Sequence, residues 1–467
     1  KLAKGLVRRD VTRLVTPGTL TDPALLDQRE GNYLAAVVPG PRAGRGRGAD
    51  AGAGPAGLAW VELSSGAFWA MTAPAEGVLD ELVRIRPAEV IYPDGCELDS
   101  PAWRHSLREV VGAAATGRPP WAFDAHAAGE CLKEHFGTAT LEGFGLSGAD
   151  ASVSAAGAII EYLRETQKTA LGHIRTIRRF DRADHMTLDG NTLRCLEVHR
   201  TLRTNQRAGS LLACIDRTCT GMGARLLERW VTFPLTGYSA IVARQDAVEE
   251  LAGGRARLAA VRELLAEAAQ IDRIAAAIAL GRVRPRELVA LGQTLRLLPR
   301  LDEALGDCAA DLIVQARPAL GGLGAAAELI ERAIDPDCPN VLRDGGVIAG
   351  GFDAELDRLR RIGADGQSWL AGYQAEQARR TGVPNLKVGF NKVFGYYIEV
   401  THTHSQKVPD DYVRKQTLKN AERYITDELK RYESEVLTAE DRAKSLEAEL
   451  FEQVRRQRPA GREGLGG

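Results

Sequence analysis

Between residues 379 and 431 the chain carries eleven lysines and arginines against six acids, an excess of five positive charges in a protein whose formal net charge is -1. Amide side chains interleave with them. Phosphate is held by charge and by hydrogen-bond donors, without reading of bases, so this mixture suits contact with a nucleic-acid backbone. The candidate contact residues are Asn391, Lys392, Arg414, Lys415, Gln416, Lys419, Asn420 and Arg423. The competing reading of the same charges is a solvated surface with no ligand.

Other constellations carry less chemistry. Cys195 and His199 are four apart on an expected helix, with Cys214 and Cys219 following, a loose approximation to zinc-ligand spacing. Free cysteine is also a small buried hydrophobe, and seven cysteines form an odd set without disulfide-like spacing. Reduced thiols and no metal are therefore expected. His402 and His404 lack carboxylate support and are expected to face solvent. Glu62 closes an expected strand before S-S-G, a place where some nucleases hold Mg²⁺, but one carboxylate makes a poor metal site. Phosphate cradling of ATP by G-x-x-x-x-G-K-[ST] requires a Gly-Lys dipeptide, which the sequence does not contain. No catalytic centre and no cofactor are expected among these residues.

The elements that must position the basic stretch are legible around it. Val388 to Thr401, V-G-F-N-K-V-F-G-Y-Y-I-E-V-T, is β-branched and aromatic with Gly389 and Gly395 interrupting, as in strands with a tight turn. After it, Leu429, Tyr432, Val436, Ala439, Ala443, Leu446 and Leu450 alternate three and four apart, the seam of a packed helix pair. Before it, Phe352, Leu356, Leu359, Leu370 and Tyr373 mark a similar seam, with Gly363 and Gly366 at seam positions. Two such helices, at about 1.5 Å per residue, make antiparallel arms on the order of 45 Å long with the basic segment at their tip.

The rest of the chain divides by pattern. Residues 11–16 read as a strand, followed by a P-G turn and a helix opened by Asp22. Residues 39–57 are rich in Gly, Ala and Pro, with Arg42, Arg45 and Arg47, and read as an inserted loop. Residues 58–118 alternate strands (58–63, 67–71, 90–92) with a helix at 76–85. From residue 121 to about 333 the pattern is helical, and 335–353 is rich in turns. The composition, 44% hydrophobic and 26% charged with no apolar run of about 18 residues, is that of a soluble, cytoplasmic, multidomain protein without membrane spans.

The run G-F-N-K-V-F-G-Y-Y-I-E-V-T (389–401), then R-K-Q-T-L-K-N-A-E-R-Y (414–424) and a long helix, resembles the clamp of the MutS family of DNA mismatch-recognition ATPases. M-T-L-D-G-N-T-L-R-C-L-E (186–197), I-D-R-T-C-T-G-M-G-A-R-L-L-E-R-W (215–230) and L-R-D-G-G-V-I-A-G-G-F-D-A-E-L-D (342–357) are similar to that family's core and lever, with Cys195 where the family usually has Asn. The resemblance implies a multidomain, mainly α fold. Residues 1–36 would end the mismatch-binding domain, 37–120 form a small α/β connector, 121–380 the helical core and first lever helix, 381–432 the β-rich clamp, and 433–467 the returning helix. It implies duplex DNA as partner, a dimer, a MutL-type repair partner, and ATP with Mg²⁺ in the intact protein, of which this chain would be a middle fragment. A MutS relative acting in recombination, or a coiled-coil structural protein, are the other readings the residues leave open.

Overall fold

The computed structural model describes residues 11, 13–40, 54–148, 150–168, 170–391 and 395–457, without the side chains of 363–368. The chain forms two compact units: Lys1–Val283 with Gln293–Gly324, and Arg284–Gly292 with Ala325–Gly467.

The first unit is built on a six-stranded mixed sheet. Its strands are β1 (Tyr33–Val38), β2 (Ala56–Glu62), β3 (Ala67–Ala73), β4 (Glu89–Pro93), β5 (Ala114–Arg118) and β6 (Arg178–Arg179). They lie in the order β5-β4-β1-β2-β3-β6, antiparallel across β1, β2 and β3 and parallel elsewhere. Alternate residues feed two cores, which is why these strands are apolar on both faces. Leu34, Ala36, Ala59, Val61, Phe68 and Ile91 pack on one side with Val153, Ala156, Ile159 and Leu163. Ala35, Val37, Leu58, Trp60, Met71 and Val90 pack on the other with Val78, Leu82, Ile85 and Leu107.

Helices α1 (Val78–Ile85), α2 (Pro101–Ser106), α3 (Ala125–Phe136) and α4 (Ala151–Gln167) supply that cover. Close approach is allowed by glycine: a Cβ on Gly57 of β2 would lie 2.0 Å from the Ala151 carbonyl oxygen, and one on Gly157 of α4 would lie 2.4 Å from Ala128 Cβ. A helical series follows: α5 (Gly190–Cys195), α6 (Leu211–Ile215), α7 (Gly221–Thr232), α8 (Tyr238–Gly253), α9 (Arg255–Glu267), α10 (Ile271–Ala279), α11 (Pro285–Ala304), α12 (Asp311–Ala316) and α13 (Gly324–Ala333).

Two local expectations are corrected. Among the described residues of 11–16 there is no strand. Instead Leu14 N–H donates to the Thr166 carbonyl (2.8 Å), while Thr16 Oγ1 and Gly18 N–H donate to the buried Glu89 carboxylate (2.5 and 3.0 Å). Asp22 opens a turn rather than a helix, its side chain accepting from Ala24 N–H at 3.0 Å. The carbonyls that would continue a helix are taken by arginines: Asp27 and Glu30 by Arg273, Gln28 by Arg225.

The second unit holds two long helices and a four-stranded sheet. α14 (Ala354–Thr381, 28 residues) and α15 (Asp427–Arg456, 30 residues) are about 42 and 45 Å long at 1.5 Å per residue. Each starts on a side-chain cap, Asp353 accepting from Leu356 N–H and Thr426 from Leu429 N–H. The pair is antiparallel, since Arg360 meets Glu447, Trp369 stacks on Tyr432 and Tyr373 bonds Thr426. Between them the chain forms β7 (Lys387–Asn391), β8 (Gly395–Thr401), β9 (Val413–Thr417) and β10 (Ala421–Ile425), all antiparallel in the order β7-β8-β10-β9. The expected seam of α15 is present at Leu429, Val436, Ala439 and Leu450, all buried. Among the described residues no helix is long and apolar enough to cross a membrane.

Candidate nucleic-acid interface

The four-stranded sheet presents one apolar face and one polar face, set by the two-residue period of its strands. Ile398, Val400, Tyr412 and Tyr424 are buried with Tyr373, Val383, Leu386 and Leu429, which fixes the sheet to the ends of α14 and α15. Tyr412 donates its hydroxyl to Gln377 (3.0 Å), and Arg380 pairs with Asp411 at 2.9 Å. Burial and the neighbouring Glu422 carboxylate, which Tyr424 contacts through its hydroxyl, push the Tyr424 phenol up to about 12.

On the opposite face the register aligns Lys387, Glu399, Arg423 and Gln416 across all four strands. Arg423 is held from three sides. Its guanidinium donates to Glu399 (3.0 Å) and to Gln416 Oε1 (3.0 Å) and lies 4.1 Å from the centre of the Tyr397 ring. Tyr397 can cross β7 because residue 389 is glycine, where a Cβ would sit 2.9 Å from the ring. Arg423 and Gln416 are thus half-buried and turned inward.

The outward cations stand at the edge and the turn. The β9–β10 register shifts between Arg423 and Tyr424, whose partners are Gln416 and Arg414, so Lys415 is the extra residue of a bulge on the edge strand. Arg414 is exposed and pairs with Glu422 at 3.1 Å. Lys419 and Asn420 occupy the β9–β10 turn, closed by Leu418 N–H donating to the Ala421 carbonyl (2.8 Å). That turn is braced by His402, whose backbone N–H donates to the Asn420 carbonyl and whose ring nitrogen lies 3.0 Å from the Leu418 carbonyl. His402 and His404 lie in a short 3-10 helix, His402–Lys407, rather than on a strand.

The eight candidate residues do not form one patch. Asn391 pairs with Gly395 at the start of β8, and Thr401 at its end pairs with Ala421 beside the turn. At about 3.4 Å per residue these two ends are about 20 Å apart. Asn391 is half-buried where the β7–β8 hairpin lies along α15, with Tyr396 N–H directed at Glu433 (3.4 Å). Lys392 lies outside the described residues. Arg414, Lys415, Lys419 and Asn420 are exposed, and among the described residues no carboxylate pairs with Lys415 or Lys419. Sequence reading missed Tyr397, Glu399 and Glu422, which orient the arginines; the two-residue alternation of β8 and β10 carries the signal for all three.

The remaining candidates resolve into structural roles. Glu62 is buried, accepts from Ser64 and Ser65 hydroxyls at 3.0 Å, and lies 3.4 Å from Arg273 and 3.8 Å from Arg225. Its carboxylate is committed to that ion cluster. Cys195, Cys214 and Cys219 are free thiols, and His199 turns to Thr232 (3.2 Å) and Glu228 (3.5 Å). Among the described residues no group of three or more His, Cys, Asp or Glu is placed to hold a metal ion.

Comparison with known proteins gives one consistent result. The profile of MutS domain III matches residues 191–463 and that of MutS domain II matches 32–175. The DNA mismatch repair protein MutS of Rhodopirellula baltica is 42% identical over 466 residues, 97% of this chain and 51% of the relative. That of Symbiobacterium thermophilum is 43% identical over 459 residues, with 97% and 51% covered. That of Methanothrix thermoacetophila is 40% identical over 459 residues, with 98% and 50% covered. The chain spans about half the length of the curated relatives it matches.

Proposed function

Because the chain belongs to the MutS family and is 42–43% identical to relatives named DNA mismatch repair protein MutS, we propose that its four-stranded sheet is a clamp that grips duplex DNA by the phosphate backbone. The observation that carries this reading is the exposed cationic edge and turn, Arg414, Lys415, Lys419 and Asn420, on a sheet anchored to the ends of two long helices. Lys415 projects from a bulge and Lys419 from a tight turn, so both can follow a curved backbone. Arg423 and Gln416 act one layer back, holding the face rigid. Asn391 and Lys392 belong to the far hairpin and would meet a separate stretch of backbone.

In the whole protein α14 and α15 would serve as levers, carrying the state of an ATPase in the half this chain does not span to the clamp. ATP and Mg²⁺ would bind there. Dimerisation, a MutL-type partner, mismatched DNA as the ligand and a cytoplasmic location complete the reading.

The test is fluorescence anisotropy of matched and mismatched duplexes across a salt series. Three to five neutralised phosphates give a slope of log affinity against log salt of roughly -3 to -4.5. Lys415→Ala with Lys419→Ala should flatten that slope by about one unit for each phosphate no longer neutralised, and weaken matched and mismatched duplexes alike. An unchanged slope at unchanged affinity would return these lysines to plain solvated surface.

A further inference from the structure

Many arginines of the first unit have an acid partner. Arg29 and Arg207 share Asp216, Arg84 and Arg182 share Glu81, Arg86 takes Glu228, and Arg225 takes Asp272. Three stand apart. Among the described residues no carboxylate pairs with Arg178, Arg229 or Arg244; Arg229 and Arg244 meet aromatic rings and Arg178 is exposed.

The fold brings these three together through two indoles. Strand register places Trp60, Trp69 and Arg178 side by side across β2, β3 and β6, so the three side chains share one face of the sheet. The indoles of Trp60 and Trp69 stack at 5.8 Å and 18°. Arg229, from α7, sets its guanidinium 5.5 Å from the Trp69 ring centre. The next residue, Trp230, carries the guanidinium of Arg244 from α8 at 3.8 Å. Burial and then the positive charge of Arg178 lower the proton affinity of Arg229, and burial and then Arg229 lower that of Arg244. An aromatic face attracts a cation without neutralising it, so like charges in this partly dry setting repel one another.

Beside Arg229 opens a small cleft of about 50 Å³, walled by Tyr33, Trp60, Trp69, Phe180 and Phe233, with Glu30 and Glu228 also on its lining. Arg84 also lines it, with a buried Nε that has no hydrogen-bond partner. We propose that Arg178, Arg229 and Arg244 form a site for a phosphoryl-bearing anion at the rim of this cleft. The anion supplies the counter-charge that these three arginines lack. All the residues of this site belong to the first unit, and none to the cationic sheet.

Phosphoryl groups come from a free small anion or from a nucleic-acid backbone, and two arms separate them. In the first, the full chain is titrated with sodium pyrophosphate against sodium chloride at equal ionic strength, reading tryptophan emission. Saturation with a midpoint on the order of 1 mM or below is expected with pyrophosphate only. Arg229→Gln should weaken it at least tenfold and Arg244→Gln measurably. In the second arm, duplex DNA replaces pyrophosphate. Weakening by Arg229→Gln there identifies the backbone as the source, and its absence identifies a small anion. Because Arg229 has no acid partner, Arg229→Gln should melt no lower than the parent in chloride. Equal pyrophosphate binding by parent and Arg229→Gln, an equal response to chloride, or a large fall in melting temperature would each overturn the site.

Discussion

Glu447 is the one acid buried in the seam of α15, 2% exposed, and its removal gives a sharp test of how the helix pair is held. Its carboxylate accepts from Gly346 N–H at 2.9 and 3.1 Å and pairs with Arg360 of α14. Arg360 in turn donates to the Ile348 carbonyl at 2.8 Å. One side chain thus ties α15 to α14 and to the loop before it, where Gly345 and Gly346 both take positive φ, 75° and 76°. Glu447→Ala leaves the Gly346 amide unpaired and strips Arg360 of its counter-charge. Breaking a buried pair costs about 3–5 kcal/mol, and a hydrogen bond to a charged group about 1.5–3 kcal/mol. Arg360 is 29% exposed and regains water, which places the expected loss near the lower end, at about 3 kcal/mol. Adding Arg360→Met to Glu447→Leu should cost less than the two single changes summed, by about 1–2 kcal/mol, because neither charge is then stranded. Because several domains need not unfold together, the readout is hydrogen exchange of amides in α14 and α15, supported by urea denaturation. Protection in both helices within about 0.5 kcal/mol of the parent for Glu447→Ala would refute the argument.

Two further outcomes follow from the first unit. His173 is pushed down to about 4 by burial, with one ring nitrogen 2.9 Å from the Leu63 carbonyl and Nδ1 buried without a partner. It stays neutral in the folded state while the unfolded chain takes a proton near pH 6.5. Stability should therefore be full above about 6.5 and fall toward pH 4, by at most about 3 kcal/mol. His173→Gln should flatten this decline in denaturant midpoints at pH 7.5 and 4.5, and an equal decline in both proteins would count against the reading. Gly57→Ala would drive a methyl into the backbone of α4 and should cost about 3 kcal/mol or more. Gly129→Ala, with nothing within 4 Å of the added carbon in α3, should be neutral or stabilising by up to about 1 kcal/mol; similar thermal melts for the two variants would contradict the close approach.

What was legible in the sequence was periodicity. Strands expected at 58–63, 67–71 and 90–92 appear as β2, β3 and β4, and the α15 seam was visible because apolar side chains mark it. Glu447 was not visible, since a polar residue in a seam reads as a face change until the loop donor at Gly346 is seen beside it. Nor could the sequence say how the helices cover the sheet, because α3 and α4 meet each other through small residues, Gly157 against Ala128, that carry little pattern.

Charge shows the same division between kind and placement. Counting found the basic stretch, but a count treats Arg423 and Lys415 alike, while register turns the first inward onto Glu399 and the bulge throws the second outward. The converse holds in the first unit, where Arg178 lies in the basic run R-T-I-R-R-F-D-R (175–182) but nothing in the sequence joins it to Arg229 and Arg244. They come from β6, α7 and α8 and are linked through Trp69 and Trp230. In a chain of net charge -1 composition therefore says nothing of where positive charge gathers. Which arginines take an acid partner is a property of strand register and helix placement.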